Sequence, residues 1–135
     1  MTTFRMSTRQ SPVLGLVQMP MARVVIDSPL GSFPAAFLID SGADVTVVSY
    51  NIGAIVGWRP SPNDTVLFMR GITGQSPCIL RQLTMRIGST QLQARVAWAQ
   101  SNLRVNVLGR LDVFDAFDIM FRQSVGRTVF RAVKG

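Results

Sequence analysis

Asp40 is the residue that raises a chemical question. It follows the apolar run Ala35-Ala36-Phe37-Leu38-Ile39 and opens the stretch Asp40-Ser41-Gly42-Ala43-Asp44. A carboxylate placed straight after five positions that read as buried is costly unless it is paired or used. Its neighbours supply what a working acid needs. Ser41 offers a hydroxyl that can hydrogen-bond across an interface, and Gly42 lets a ligand or a second carboxylate come close to the backbone. Taken alone, Asp-Ser-Gly reads equally well as the turn that ends an ordinary strand. Three other aspartates, Asp112, Asp115 and Asp118, lack this glycine and hydroxyl context, and Asp64 falls in a loop. Histidine is absent and Cys78 is the only cysteine. Zinc chemistry of the usual kinds, Ser-His-Asp catalysis and Cys-His catalysis are thereby excluded, and neither a metal nor any other cofactor is expected.

The elements around Asp40 read as short strands. Residues 13–17 and 23–26 are brief β-branched runs, Ser28-Pro29-Leu30-Gly31 is turn chemistry, and 35–39 reads as a buried strand that delivers Asp40. Strand character resumes over 46–49, and 50–56 fits a short helix. Residues 65–69 and 78–80 flank the glycine-bearing tip Arg70-Gly71-Ile72-Thr73-Gly74-Gln75, a hairpin signature. A second hairpin covers 83–87, Gly88-Ser89 and 91–97. Residues 105–108 form a strand stopped by Gly109, and 111–116 is the best candidate for a helix. A last hairpin covers 118–121 and 128–133. Closely spaced strands with hardly any helix predict an all-β fold. Trp58 and Trp98 read as packing residues, and Phe114, Phe117 and Phe121 as anchors of the last helix and strand.

A chain of 135 residues with 47% hydrophobic residues is long and apolar enough for one domain with its own core. No apolar run reaches the ~18–20 residues a membrane helix needs. Residues 1–12 do not read as a signal peptide and are expected to be an arm, either flexible or a pro-segment, ahead of a domain at 13–135. A cytoplasmic protein with no membrane partner is the expectation. The net charge of +7 comes from thirteen arginines and Lys134 against seven aspartates, with no glutamate. Because the arginines are scattered singly along the chain, a soluble basic surface is expected, with nucleic acid not the main partner.

Residues 38–44 resemble the catalytic motif of the retropepsin-like aspartic proteases, two apolar residues followed by Asp-Thr/Ser-Gly-Ala-Asp/Ser. Two further landmarks stand in the family's order. Gly71-Ile72-Thr73-Gly74 has the position and composition of the flap tip, and Val107-Leu108-Gly109-Arg110 matches the apolar-apolar-Gly-Arg sequence that opens a short helix. The stretch from Leu108 to Ile119 is similar to stand-alone bacterial or cellular members. Ser41 in place of threonine, Thr73 in the flap, Leu111-Asp112 after Arg110 and a closing hairpin at 128–133 depart from the retroviral pattern.

The resemblance implies a single-lobe acid-protease barrel, all-β, with a flap hairpin and one short C-terminal helix, working as a homodimer on a polypeptide substrate. Asp40 would be the catalytic aspartate, with Ser41 locking the two catalytic loops together and Gly42 meeting the substrate backbone. Ala43 and Asp44 would lie along the substrate, and Val47, Val105 and Val107 would line side-chain pockets. Gly71 and Ile72 would close over the substrate. Gly109 and Arg110 would support the site, Arg110 through an ion pair with Asp44. Aspartic proteases need two carboxylates about one water, and this chain has one Asp-Ser-Gly, so a two-fold dimer follows from the resemblance. Two alternatives are a dimeric peptide-binding module of the same fold with little turnover, and a small basic nucleic-acid-binding β-barrel.

Overall fold

Twelve strands carry the chain in the computed structural model, which describes residues 1–71 and 74–133. They are β1 (Thr2–Arg5), β2 (Ser7–Ser11), β3 (Gly15–Met19), β4 (Met21–Ser28), β5 (Gly31–Ile39), β6 (Thr46–Val48), β7 (Val66–Gly71), β8 (Gly74–Ile87), β9 (Thr90–Ala99), β10 (Asn106–Leu108), β11 (Phe117–Arg122) and β12 (Arg127–Ala132). Among the described residues one regular α-helix occurs, α1 (Tyr50–Val56). Seven strands form a sheet in the order β4-β5-β10-β6-β9-β8-β7. The far half of the long strand β8 also pairs with β4, through Arg86↔Val25 to Thr84↔Asp27, which closes the sheet into a barrel. A separate three-stranded sheet has the order β1-β12-β11, and β2 and β3 make a hairpin of their own.

The barrel core is built on alternation. β4 buries Ala22, Val24 and Ile26, and β8 buries Leu83, Met85 and Ile87, one residue in two along each strand. β9 begins by alternating and ends with Val96, Ala97, Trp98 and Ala99 all buried, because both faces of its last turn of pleat are covered. Trp98 is fully buried, and its indole N–H donates to the Tyr50 carbonyl at 3.1 Å. Tyr50 stacks on it at 5.4 Å, Trp58 meets it edge-on and the Arg81 guanidinium lies 5.5 Å from its ring. At roughly 25 cal/mol per Å2, an indole buried this completely contributes about 5 kcal/mol. The helix α1 can approach it because residue 53 is glycine, where a Cβ would stand 2.1 Å from the indole nitrogen. The packing role expected of both tryptophans is the one they have.

Several elements differ from the sequence expectation. Residues 1–12 carry β1 and β2: β1 is laid against β12 from Thr2↔Phe130 to Arg5↔Arg127, and Met6 is buried. Val13 and Leu14, expected to begin a strand, form the exposed turn between β2 and β3. The run 35–39 is not uniformly buried. Only Phe37 and Ile39 are, since β5 alternates like any strand with one covered face. The helix expected at 111–116 is an irregular helical turn, Arg110–Phe114, interrupted at Leu111 and Asp112. Those two residues have the dihedrals of the middle of a type II turn, with aspartate at φ 66° where glycine is usual.

One topological feature governs the site. β10 lies between β5 and β6, parallel to the first and antiparallel to the second. The six residues 40–45 that join β5 to β6 must therefore span two strand spacings, ~10 Å, across the end of β10. The chain leaving β10 passes directly beneath that crossing at Gly109. A Cβ on residue 109 would lie 2.3 Å from the Val45 carbonyl carbon and 2.8 Å from the Thr46 nitrogen. Gly109→Ala is therefore expected to lower the urea midpoint of unfolding by the equivalent of about 2–3 kcal/mol. An unchanged midpoint would mean the crossing loop can lift off β10 without cost.

Candidate active site

The crossing loop is fixed by backbone bonds at both ends. The Asp40 N–H donates to the Leu108 carbonyl at 3.0 Å, and the Arg110 and Leu111 N–H groups donate to the Ala43 and Asp44 carbonyls, each at 2.9 Å. Below the loop, the buried Thr46 hydroxyl accepts from the Gly109 N–H at 3.0 Å. Within the loop, the Ala43 N–H returns to the Asp40 carbonyl at 3.2 Å. The Gly42 N–H donates to Asp40 Oδ1 at 2.9 Å, which fixes one carboxylate oxygen and leaves the other available. Ser41 and Gly42 are exposed at the apex.

Asp40 stands between two hollows. One is a cleft of about 710 Å3, walled by the loop, by Leu67, Phe68 and Met69 of β7, and by Arg95 and Leu111. A smaller apolar pocket of about 250 Å3 adjoins the same carboxylate and is lined by Val47, Val107, Met69, Cys78, Ala99 and Leu103. Two of its lining residues, Cys78 and Ala99, belong with Ala97 to a satellite core of small buried residues. Burial pushes the Cys78 thiol up, so it stays a neutral, inert wall group.

Most residues singled out from the sequence are brought together. Asp40, Gly42, Ala43 and Asp44 share the larger cleft, and Val47 and Val107 share the smaller pocket with Asp40 and Ala43. Gly109 and Arg110 lie under the loop. Val105 does not join them: it precedes β10 and lines a different groove, with Asn51, Ile52 and Ile55 of α1. Gly71 sits opposite Gly74 in the β7–β8 hairpin, while Ile72 lies outside the described residues. Asp44 and Arg110 do form their ion pair, at the surface, with side chains 88% and 57% exposed.

The Arg95–Asp112 clamp is visible only in the structure. Arg95, on β9, donates from its backbone N–H at 2.8 Å, from Nε at 2.9 Å and from Nη2 at 2.9 Å to the Asp112 carboxylate. The Asp112 N–H in turn donates to Asp115 Oδ2 at 3.0 Å. These bonds hold Asp112 in its left-handed conformation and so place Leu111 at the cleft wall. Nothing in the spacing of residues 95 and 112 announces a contact that depends on the register of β9. Met69, Cys78, Ala99 and Leu103 were missed for the same reason: their common pocket exists only once β7, β8 and β9 are aligned.

The aspartates divide sharply. Asp27, Asp44, Asp64, Asp112 and Asp118 each pair with an arginine. Among the described residues Asp40 and Asp115 have no such partner, and Asp115 accepts the Asp112 N–H. Asp40 is thus the carboxylate that faces the cleft with no arginine paired to it, since the Arg95 of the cleft wall is bound to Asp112. No three His, Cys, Asp or Glu side chains cluster to hold a metal ion among the described residues, and none of their helices is long and apolar enough to cross a membrane.

No family model matches this chain, and no curated protein sequence matches it. Among solved structures, the EIAV protease complexed with the inhibitor HBY-793 is similar to it, with a TM-score of 0.55 and 19% sequence identity over 76% of this chain and 88% of that one. At that identity the likeness is one of fold. The chain has the single-lobe, all-β retropepsin-like fold.

The clamp makes a pH signature. The hydrogen bond from Arg95 holds the Asp112 carboxyl below its ordinary 3.8, and the bond from Arg81 does the same for Asp64. A carboxyl depressed in the folded state contributes stability above its unfolded value, and that contribution fades as pH falls through the folded value. Wild type should therefore lose thermal stability progressively below pH 3.8. Asp112→Asn should start lower at neutral pH, decline less on acidification and converge on wild type in acid. Parallel melting curves of Tm against pH would refute the clamp.

Proposed function

We propose that the chain is an aspartic endopeptidase that hydrolyses extended polypeptides with two Asp40 carboxylates, one from each of two copies. The observation that carries this reading is the isolation of Asp40. It is held by the crossing loop at the rim of a cleft, with one oxygen bonded to the Gly42 N–H and no arginine paired with it among the described residues, the cleft's Arg95 being committed to Asp112. Of the six other aspartates, five have an arginine each and the sixth, Asp115, accepts the Asp112 N–H, so among these residues Asp40 alone faces the cleft without a structural partner from another side chain or a distant strand.

One carboxylate cannot do this chemistry alone, and the chain offers no second. Asp44, its neighbour in the cleft, is committed to Arg110. A second copy related by a two-fold would supply the partner Asp40. Two carboxylates in contact cannot both ionise, so the pair shares one proton and titrates as a unit. The ionised member takes a proton from the bound water as it attacks the scissile carbonyl, and the protonated member donates to the carbonyl oxygen. Collapse of the resulting diol returns a proton to the departing amine, leaving a carboxylic acid and restoring the dyad. The exposed apex residue Ser41 would bond between the two loops. The β7–β8 hairpin, whose Met69 walls both hollows, would lie over the bound chain as a flap.

The smaller pocket points to an apolar side chain next to the cut bond. Its lining has no charged group other than Asp40 itself.

Two measurements test this. Casein cleavage should be found somewhere between about pH 4 and about pH 7.5, be blocked by a statine-type inhibitor, and vanish in Asp40→Ala with the fold retained. A dimeric wild type that cleaves nothing across that range would leave a peptide-binding module instead. With an apolar peptide library, Ala99→Leu should shift the preference at one position beside the cut toward smaller side chains, raising KM for large ones more than it lowers kcat. If preference stays unchanged, the pocket of Cys78, Ala99 and Val107 does not hold a substrate side chain.

A further inference from the structure

The three-stranded sheet contains an arrangement that a lone chain leaves unbalanced. Arg5 of β1 stands opposite Arg127 of β12, and Arg127 stands opposite Arg122 of β11. Directly opposed residues share a face, and neighbouring strands are only ~4.8 Å apart. Three arginines therefore line one rung, and like charges placed opposite one another destabilise a sheet. Arg127 turns one guanidinium nitrogen to the Val125 and Gly126 carbonyls. Among the described residues no carboxylate lies within ion-pair distance of any of the three.

The nearest carboxylate on that face is Asp118, held loosely to Arg131 at 3.6 Å with both side chains 70% exposed. It cannot relieve Arg122 within the chain, because four residues of strand separate them by ~13 Å. Beside them runs an open edge: β11 pairs with β12 on one side and, among the described residues, with nothing on the other. That edge exposes Met120 at 60% and Phe121 at 40%. An unprotected strand edge with apolar side chains is a pairing template.

We propose that β11 pairs antiparallel with β11 of a second copy, centred on Met120, so that Asp118 of each chain faces Arg122 of the other. This register follows from the sequence of the strand. Centring on Met120 puts residue 118 opposite 122, 119 opposite 121 and 120 opposite itself. Charge then meets opposite charge on the outer face, twice by symmetry, and Ile119 meets Phe121 on the inner face. Moving the centre by one residue either way places Asp118 against Met120 or beyond the strand, and strands Arg122. Centring on Asp118 or Arg122 opposes like charges. The result is one sheet of six strands in the order β1-β12-β11-β11-β12-β1, with a carboxylate delivered to each arginine rung. β11 begins just after the turn that is bonded to the Asp40 loop, so the contact joins the copies close in sequence to the site.

The inference rests on the reading that the chain works as a dimer, and it names the surface and register of that dimer. Sedimentation velocity on the full chain should show self-association that Asp118→Arg or Arg122→Asp each weaken by roughly tenfold or more. The double variant D118R/R122D should restore it, because both pairs reform with reversed sign. Met120→Cys should give a covalent dimer on oxidation, with Cys78 too buried to compete. A monomeric wild type, single reversals without effect, failure of the double variant to recover, or no cross-link through residue 120 would each overturn the proposal. So would an Arg122→Asp protein that loses retention on heparin while keeping its self-association, since the rung would then be a polyanion site. The enzyme reading fails separately. A dimer disrupted by Asp118→Arg that cleaves no polypeptide in wild-type form leaves the register standing and removes the protease. A proteolytic dimer indifferent to both reversals does the opposite.

Discussion

The crossing of the loop 40–45 over the end of β10 is the constraint on which the rest of the site depends. With β10 inserted between the strands that the loop joins, the loop has no freedom to take a tight turn. It must lie flat across Leu108 and Gly109, and its carbonyls and N–H groups must find partners there. Relative magnitudes say what holds it. The Asp44–Arg110 pair is exposed on both sides and contributes at most about 1 kcal/mol. The buried bond from Gly109 to Thr46 and the sub-van-der-Waals room at residue 109 are different in kind, because breaking either strands buried backbone or forces the strands apart. Asp40 is therefore positioned by backbone topology, and the ion pair beside it is an accessory. A carboxylate meant to act on a substrate gains from that arrangement, since no flexible side chain has to be ordered before the geometry exists.

The same economy of means explains the arginines. Five of the seven aspartates are spent in pairs with arginine, and two of those pairs, Arg95–Asp112 and Arg81–Asp64, tie a strand to a loop through two or more hydrogen bonds. A planar guanidinium can make such forked contacts and an ammonium cannot, which gives a physical reason for thirteen arginines beside one lysine. Pairing so many carboxylates, with Asp115 bonded to the Asp112 N–H, leaves Asp40 as the unpaired one at the cleft. Beneath it, Cys78 and Ala99 are small where the main core around Trp98 is large, and the pocket opens beside them.

What could be read from the sequence follows the range of the interactions involved. The hairpins β4–β5, β7–β8, β8–β9 and β11–β12, and the helix α1, are set by local turn chemistry and alternation, and they lie where the pattern put them. The Asp40 loop was legible because an apolar strand, an acid and a glycine are consecutive. β1 and β2 were not, since Thr-Thr-Phe-Arg and Ser-Thr-Arg-Gln-Ser carry no apolar alternation and β1 exists through its pairing with a strand at the other end of the chain. Residues 111–116 carry a helical pattern, yet Asp112 is turned out of the helix by Arg95, seventeen residues away on another strand. Val105 illustrates the limit of counting by twos: β10 starts only at Asn106, so the alternation that places Val107 in the pocket does not extend back to it. The arginine rung is the extreme case, assembled from residues 5, 122 and 127 by register alone.

That rung bears on how such a chain could meet a copy of itself. Each copy carries a net charge of +7, so two copies repel as they approach. At physiological ionic strength the repulsion between distant charges is screened beyond ~8 Å, while charges in contact are screened much less. Association of like-charged copies therefore depends on what happens at the contact itself, and a purely apolar edge would have to overcome the local arginines as well. An edge whose own acid falls opposite its own base removes that penalty where it is largest. A two-fold imposes this economy: any attraction present once at the interface is present twice, and so is any repulsion. In a strand as short as Phe117–Arg122, with one acid and one base, only one antiparallel centre makes both contacts attractive. Retaining a single aspartate on so basic a sheet then serves partner and register together, which an added apolar residue could not do.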